Sequence, residues 1–350
     1  MKNQNTLNKR NKLLWSLLFL LIAAGTVYAV VSQSKTFSFH KFREFILTAS
    51  PWYLAAAALC MLGFIAFEGL AIMVMCREFK FKCSLKNGFI YSASDIYFSA
   101  ITPSATGGQP ACGYFMVKDG IPAVFTTVAL IANLAAYALS TLSLGVLSLV
   151  ARPGLLMKFS LFSRVLIYLG YGAQLFLIAF FTLMLKRKDI VYAICGKVIR
   201  LMGKLRLTRR ADVLSQKLKK TAEDFGMYSE MMQGKLSMLF KVVVLNILQK
   251  ASQIAVTMFA YLATGGKLSH AFDIFCLQSY TTIGVNCIPI PGAMGITDYL
   301  MLDCFGSVMS PSEATNLELL SRSLSFYSCV IICGAAVVLK LIEQRKRRSK

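Results

Sequence analysis

The chain has 350 residues, of which 56% are hydrophobic and 15% are charged, and its formal net charge is +22. The hydrophobic residues form long uninterrupted blocks, which is typical of membrane spans and argues against an ordinary soluble domain. A large positive charge is also common in nucleic-acid-binding proteins. Here the Lys and Arg residues cluster between the apolar blocks, as in membrane proteins, so we expect no nucleic-acid partner.

Six blocks are long enough to cross a hydrocarbon core, which needs about 20 residues per helix. They predict an all-α integral membrane fold with six transmembrane helices, in a single polytopic domain that covers residues 1–350. The third block is long, which predicts that it is tilted or lies partly outside the membrane. In chain order the blocks are Leu13–Val31, Trp52–Cys76, Ile121–Val150, Val165–Leu185, Leu239–Leu262 and Leu319–Leu341.

The first block has a second interpretation as a signal peptide. Basic residues at 9, 10 and 12 precede the apolar run, and Val27-Tyr28-Ala29 resembles a cleavage site. Because the run extends from Leu13 to Val31, it is longer than a usual signal core. We therefore favour an uncleaved membrane anchor.

The distribution of Lys and Arg predicts the topology. They are concentrated in the N-terminal tail, after the second block, in residues 186–241 and in the C-terminal tail. By the positive-inside rule these segments are cytoplasmic, and both termini are then cytoplasmic. The remaining connections contain few basic residues, among which we count Arg322, and are assigned to the opposite face.

Two apolar segments are broken by turns rich in Pro and Gly, residues 102–110 (TPSATGGQP) and 288–295 (IPIPGAMG). Unpaired backbone groups in hydrocarbon cost several kcal/mol each, so such turns must be buried in protein or line a polar cavity. The basic loop at about 186–238 stays cytoplasmic only if the segments at about 88–117 and 271–306 each enter and leave on one side. We therefore predict two re-entrant helical hairpins of opposite orientation, an arrangement known from transporters built of inverted repeats.

Each turn precedes a short predicted helix, whose N-terminus directs N–H groups and a positive dipole end at the turn. Glycine there lets a phosphate approach the backbone. Either turn alone is typical of an ordinary loop, but the pair predicts one shared lipid phosphate site, from which Gly145 in the third block is expected to be remote. The predicted head-group residues are Thr102, Pro103, Ser104, Thr106, Gly107, Gly108, Gln109, Pro289, Pro291, Gly292, Gly295, Thr297 and Asp298.

Glu68, Asp95 and Lys250 are ionisable residues inside apolar segments. Lys250 lies near the centre of the fifth block, where a charge needs a partner or water. Glu68 and Asp95 are the candidate partners, either locking the bundle or changing protonation during transport. For each polar residue taken singly, an ordinary interhelical hydrogen bond is the alternative.

The basic loop at about 186–238 has the pattern of one or two amphipathic interfacial helices, for which anionic lipid head groups are the natural partner. A solvated loop that only fixes the topology is equally compatible. The ten cysteines include no CxxC pair and the chain has two histidines. They predict small buried side chains, with no metal site and no cofactor. A homo-oligomer is compatible with the sequence.

Residues 99–110 (SAITPSATGGQP), followed by residues 289–298 (PIPGAMGITD), resemble the two signature segments of a known membrane-domain family. It is the flippase-like, or YbhN-like, family related to lysylphosphatidylglycerol synthases. The resemblance covers the chain from about the first block to the sixth. It differs at Asp298, where the family often has Glu, and at Gln109, where the family often has an acidic residue.

The resemblance implies a lipid-handling protein of the bacterial cell membrane. Its best-known relatives are the membrane halves of multiple peptide resistance factors, which confer antibiotic resistance by moving aminoacylated phosphatidylglycerol between leaflets. In those two-part proteins the lysyltransferase activity belongs to a soluble domain after the membrane region. The sequence here ends after the sixth block, so we expect that activity to lie elsewhere.

No nucleophile with a base, metal cluster or nucleotide-binding loop is recognisable in the sequence, so no catalytic residue is assigned. The leading hypothesis is a translocase for aminoacyl-phosphatidylglycerol or another lipid phosphate. A membrane-embedded head-group transferase is the second hypothesis, and an accessory subunit of a cell-envelope enzyme is the third.

Overall fold

The structure is a computed structural model. In the described part of the chain every regular element is helical. The first predicted block and most of the basic loop lie outside the described residues. The structure describes residues 43, 47–102, 105–187, 211–286, 288 and 295–348, without the side chains of 211–220 and 345–348.

Twelve α-helices are present within these ranges, and a π-helical turn at Ser323–Tyr327 joins the last two. In chain order they are α1 (Pro51–Glu78), α2 (Leu85–Ile101), α3 (Gly108–Lys118), α4 (Ala123–Ala151), α5 (Pro153–Leu156), α6 (Leu161–Lys186), α7 (Ala211–Gln233), α8 (Leu236–Ala263), α9 (Leu268–Val285), α10 (Ile296–Gly306), α11 (Pro311–Arg322) and α12 (Ser328–Arg348).

Five of the described helical runs are long and apolar enough to cross a membrane. They are α1, α4, α6, α8 and the continuous run Pro311–Gln344, and they overlap the second to sixth predicted blocks. The all-α membrane fold is thereby confirmed. The number of six spans stays a prediction, because Leu13–Val31 lies outside the described residues.

The last run begins earlier than the sequence predicted, at Pro311 instead of Leu319. Ser310 and Glu313 form a capping box, in which Ser310 Oγ accepts a hydrogen bond from the Glu313 N–H and the Glu313 carboxylate accepts one from the Ser310 N–H. Pro311 occupies the first turn, where its missing N–H costs nothing. Arg322, which was counted with the connections although the predicted block Leu319–Leu341 contains it, therefore lies about three turns inside the helical run.

The same succession of helix lengths occurs twice. The helices α1, α2, α3 and α4 have 28, 17, 11 and 29 residues. The helices α8, α9 and α10 have 28, 18 and 11 residues, and the run that follows has 34. The first helices of the two series, α1 and α8, contact each other more extensively than any other pair of described helices. This succession is what two related halves would show.

Each half contains a helical hairpin, α2–α3 in the first and α9–α10 in the second. The 11-residue helices α3 and α10 are about 16 Å long, which is too short to cross a core about 30 Å thick. The hairpins occupy the predicted segments. Their re-entry into the membrane and their opposite orientation stay predictions.

Close glycine contacts position the first hairpin. A Cβ atom on Gly88 of α2 would lie 2.6 Å from the carbonyl oxygen of Gly69 in α1, so only glycine permits this approach. The contact holds α2 directly against α1. As a result Asp95, two turns further along α2, comes beside Glu68 of α1.

The second hairpin is fixed at the end of α4. Arg152 Nε lies 2.6 Å from Asp273 Oδ1 of α9. The hydrogen bond that Arg152 donates to Asp273 raises the pKa of the guanidinium above its ordinary value, so the pair stays charged.

The helix α7 covers the C-terminal part of the predicted basic loop. Its side chains Phe225 and Met232 are buried against the bundle, and Gln233 Nε2 donates to the Leu185 carbonyl at 3.0 Å. The alternation of buried and exposed residues is that of an amphipathic helix. Its contact with lipid head groups stays a prediction.

Candidate functional site

A cavity of about 650 Å³ lies inside the bundle, between the two hairpins. This volume is typical of small-molecule sites, which range from about 300 to 1,000 Å³. Both halves of the chain contribute polar side chains to its wall. They include Glu68, Asp95, Thr106, Gln109, Tyr137, Gln249, Lys250, Gln253, Gln278, Thr297 and Arg322.

Glu68 of α1 is buried in this wall with only 5% of its surface exposed. Its Oε2 atom accepts hydrogen bonds from Ser92 Oγ at 2.9 Å and from Gln249 Nε2 at 3.1 Å. Ser92 lies about one turn before Asp95 on α2, so the Asp95 side chain is next to Glu68 in the cavity wall. Glu68 is therefore held by neutral donors from two other helices, and not by a cation.

Asp95 of α2 is 7% exposed and faces Glu68. Its Oδ2 atom accepts a hydrogen bond of 2.6 Å from Gln109 Nε2, and its Oδ1 atom accepts one of 3.2 Å from Ser99 Oγ. Gln109 belongs to α3, so this contact fastens the two helices of the first hairpin. An amide can donate in this position, whereas the acidic residue that the family often has there could do so only when protonated.

Lys250 of α8 is 2% exposed. Its Nζ donates to Gln253 Oε1 at 2.8 Å and lies 4.1 Å from the ring centroid of Tyr137. Neither Glu68 nor Asp95 lies within ion-pair distance of it, so the predicted direct partnership does not form. An amide oxygen and an aromatic face stabilise the ammonium and leave its charge available to an anion.

Arg322 is a second buried cation of the cavity, 6% exposed. Its Nε lies 3.0 Å from Asp298 Oδ1 in an ion pair, and its guanidinium carbon lies 4.9 Å from the ring centroid of Phe326. Its Nη2 has no hydrogen-bond partner among the described residues. The π-helical turn begins at the next residue, and such turns are frequent at functional sites.

Arg322 is absent from the predicted site residues because it was counted with the basic residues of the connections, although the predicted block Leu319–Leu341 contains it. A usable signal was present. Ser310, Pro311 and Glu313 have the spacing of a capping box, which places the start of the helix at residue 311 and Arg322 inside it.

Asp298 connects the second turn with Arg322. Its Oδ2 accepts the N–H of Gly295 at 3.0 Å, while its Oδ1 forms the ion pair. Gly295 has φ +79°, a left-handed conformation that favours glycine. Glu318, which is buried on α11 about one turn before Arg322, interacts with Asp298. Asp298 therefore caps α10 and positions Arg322. Both of its carboxylate oxygens already have protein partners.

The first turn differs from the arrangement that we expected for a phosphate. The Gly107 N–H donates to Thr102 Oγ1 at 2.8 Å, so this amide is already occupied. A Cβ atom on Gly108 would lie 2.0 Å from Asp95 Oδ1 and 2.1 Å from Ser99 Oγ. Gly108 thus allows α3 to lie against α2, and packing explains both glycines without a bound phosphate.

The remaining predicted head-group residues divide into two sets. The structure brings Thr106, Gln109 and Thr297 together at the cavity, where Glu68, Asp95 and Lys250 also lie. Pro103, Ser104, Pro289, Pro291 and Gly292 lie outside the described residues.

Gly145 was expected to be remote from the site, but it lies against the second hairpin. A Cβ atom there would lie 1.9 Å from Ile283 Cδ1 of α9. The Gly145 carbonyl also accepts a hydrogen bond from the Tyr171 hydroxyl at 2.8 Å. Because α4 meets the second hairpin at this glycine, Gly145 is not remote from the site.

A family comparison identifies the membrane region. The family model described as "Lysylphosphatidylglycerol synthase TM region" matches residues 13–333, which include all of the cavity residues from Glu68 to Arg322. The chain belongs to this family. A search of curated proteins gave no match. The five apolar helices and the family match identify a multi-pass membrane protein. The family also indicates a lipid-related function.

Proposed function

We propose that the protein is a membrane lipid translocase, which moves a phospholipid head group between leaflets through the cavity between the two hairpins. The observation that carries this proposal is the charge arrangement of the cavity. Two buried cations, Lys250 and Arg322, and two buried carboxyl groups, Glu68 and Asp95, line one polar space within an apolar bundle. Charged groups at membrane depth are costly and are typical of substrate pathways.

The charges match a head group that carries both a phosphate and an amine. The phosphate would lie toward Arg322, whose planar fork suits phosphate oxygens, and toward Lys250. The amine would lie toward Glu68 and Asp95. Aminoacyl-phosphatidylglycerol has both groups, and other lipid phosphates provide the first. We place the protein in the bacterial plasma membrane, with both termini in the cytoplasm. On that side the basic loop would contact anionic head groups.

A head-group transferase is the second candidate, because the family description names a synthase. The described lining of the cavity contains amides, hydroxyls, two cations and two carboxyl groups, which suit the binding of a charged head group. Mass spectrometry of the lipids after incubation separates the two candidates, since only a transferase changes the head group.

The test replaces Lys250 by Met in protein reconstituted into liposomes. We expect the initial rate of translocation of fluorescent lysyl-phosphatidylglycerol to fall at least about tenfold, because a buried charge–phosphate contact is worth about 1.5–3 kcal/mol. The matched control is Lys158→Met, since Lys158 is exposed in the connection before α6. Equal rates for wild type and Lys250→Met, with both proteins monodisperse, would exclude this cavity as the lipid path.

A further inference from the structure

We propose that the carboxyl pair of Glu68 and Asp95 exchanges one proton for the ammonium group of the transported lipid, which couples lipid movement to a proton moving the opposite way. This inference rests on the proposed function. It adds to it the source of energy and the residues that use it.

The geometry of the pair requires a proton. Glu68 and Asp95 are more than nine-tenths buried and line the same cavity, and Glu68 Oε2 accepts a hydrogen bond from Ser92, which lies about one turn before Asp95 on α2. Two buried carboxylates so close together repel each other when both are ionised, and one proton shared by the pair removes that repulsion. The other hydrogen bonds given to the two groups come from neutral amide and hydroxyl donors, which leave the pair free to lose that proton.

The surrounding charges make an exchange the favourable outcome. Among the described residues, the ionisable groups from neighbouring helices that interact with the pair are Lys250, Tyr137, Cys112 and Cys333. Of these Lys250 is the one that is ordinarily charged, and it forms no ion pair with either carboxyl group in the described part of the chain. A pair that shares one proton has a charge of −1, which the ammonium of Lys250 balances. An arriving lysyl-phosphatidylglycerol head group, with two ammonium groups and one phosphate, adds a net charge of +1, and release of the shared proton to cavity water restores the balance.

A further group is placed to receive the ammonium. Gln249 is 1% exposed and lines the cavity, and its Nε2 donates to Glu68. Its Oε1 has no hydrogen-bond partner among the described residues. A buried acceptor without a partner is costly, and an ammonium donor next to the carboxyl pair would satisfy it. The ammonium and the shared proton therefore compete for one site.

The experiment uses the full-length protein in liposomes with a pH-sensitive dye inside, and compares lysyl-phosphatidylglycerol with phosphatidylglycerol. For lysyl-phosphatidylglycerol, whose head group has a net charge of +1, exchange for one proton is electroneutral. A gradient of one pH unit should then change its leaflet ratio by up to about tenfold, and the dye should report the opposing proton flux. Phosphatidylglycerol lacks the ammonium and should move no protons.

The variant Glu68→Gln keeps an amide in place of the carboxyl group and should lose both the proton flux and the response to the gradient. Glu230→Gln, at an exposed position on α7, is the matched control. The wild-type measurement alone decides the matter if Glu68→Gln does not fold. Wild-type protein that moves lysyl-phosphatidylglycerol without proton flux would overturn the exchange, as would equal proton flux with phosphatidylglycerol. Failure of the wild type to move any lipid would instead overturn the proposed function.

Discussion

The two halves of the chain have similar helix lengths but differ in the charge of the residues that line the cavity. Asp95 is the eleventh residue of α2, and Gln278 is the eleventh residue of α9. Glu68 and Gln253 are both the eighteenth residues of their helices, α1 and α8. All four line the cavity. Where the first half has a carboxyl group, the second half has an amide of similar shape.

The cations come from the second half. Lys250 lies on α8, and Arg322 lies on the run that follows the second hairpin. The cavity therefore has an acidic side and a basic side, although the two halves have nearly the same succession of helices. The comparison indicates that the helices set the size of the cavity, and that a few residues at matching positions decide which head group fits there.

The tips of the hairpins differ as well. The first tip is closed by a side chain, because Thr102 Oγ1 accepts from Gly107 and donates to the Phe98 carbonyl at 2.6 Å. The second is closed by a backbone conformation that only glycine adopts easily, at Gly295, and by Asp298. The first tip thus depends on space for Gly108 and the second on the φ angle of Gly295.

The largest loss of stability and of translocation rate is expected from Gly108→Val, which would disrupt the first hairpin. The new side chain would displace Asp95 and Ser99, and we expect a loss of about 3 kcal/mol of stability with translocation abolished. Thermal unfolding in detergent and the initial rate in liposomes measure the two effects. Gly172→Val is the control, since Gly172 is exposed on α6 with no atom within 4 Å of an added Cβ. A stable Gly108→Val protein with lost transport would favour direct phosphate contact over packing.

An intermediate effect is expected on the basic side from Arg322→Gln. Removal of the guanidinium should lower the initial translocation rate by about ten- to a hundredfold, because a charged hydrogen bond is worth about 1.5–3 kcal/mol. Arg322→Lys should recover only part of it, since an ammonium lacks the planar fork. Arg187→Gln, at the exposed end of α6, is the control. If Arg322→Gln lost abundance but kept its rate per molecule, Arg322 would be a structural partner of Asp298 and nothing more.

The sequence predicted the long helices and the two broken segments because both leave strong local signals, long apolar runs and Pro/Gly turns. The sequence predicted that the buried charge of Lys250 needs an interaction partner, but not which groups supply it. Gln253 and Tyr137 surround the ammonium through helix packing, which no pattern encodes. Gly108 and Gly145 show the same limit of the sequence. A glycine that allows two helices to pack closely cannot be told, from the sequence alone, from a glycine that makes room for a ligand.

The smallest of the three effects sharpens the contrast between the tips. Gly295→Ala adds no bulk against any neighbour, since no atom lies within 4 Å of the new Cβ, but a residue with a Cβ is strained at φ +79°. We expect a loss of about 1–2 kcal/mol of stability and only a few-fold loss of rate, because the Asp298 cap and its ion pair with Arg322 can persist. Gly306→Ala, another position on α10 with open space and no positive φ, should be neutral or slightly stabilising. Thermal unfolding of the two variants side by side is the measurement. Equal stability would mean that the second turn relaxes freely and that the backbone conformation of Gly295 does not hold Asp298 in place against Arg322.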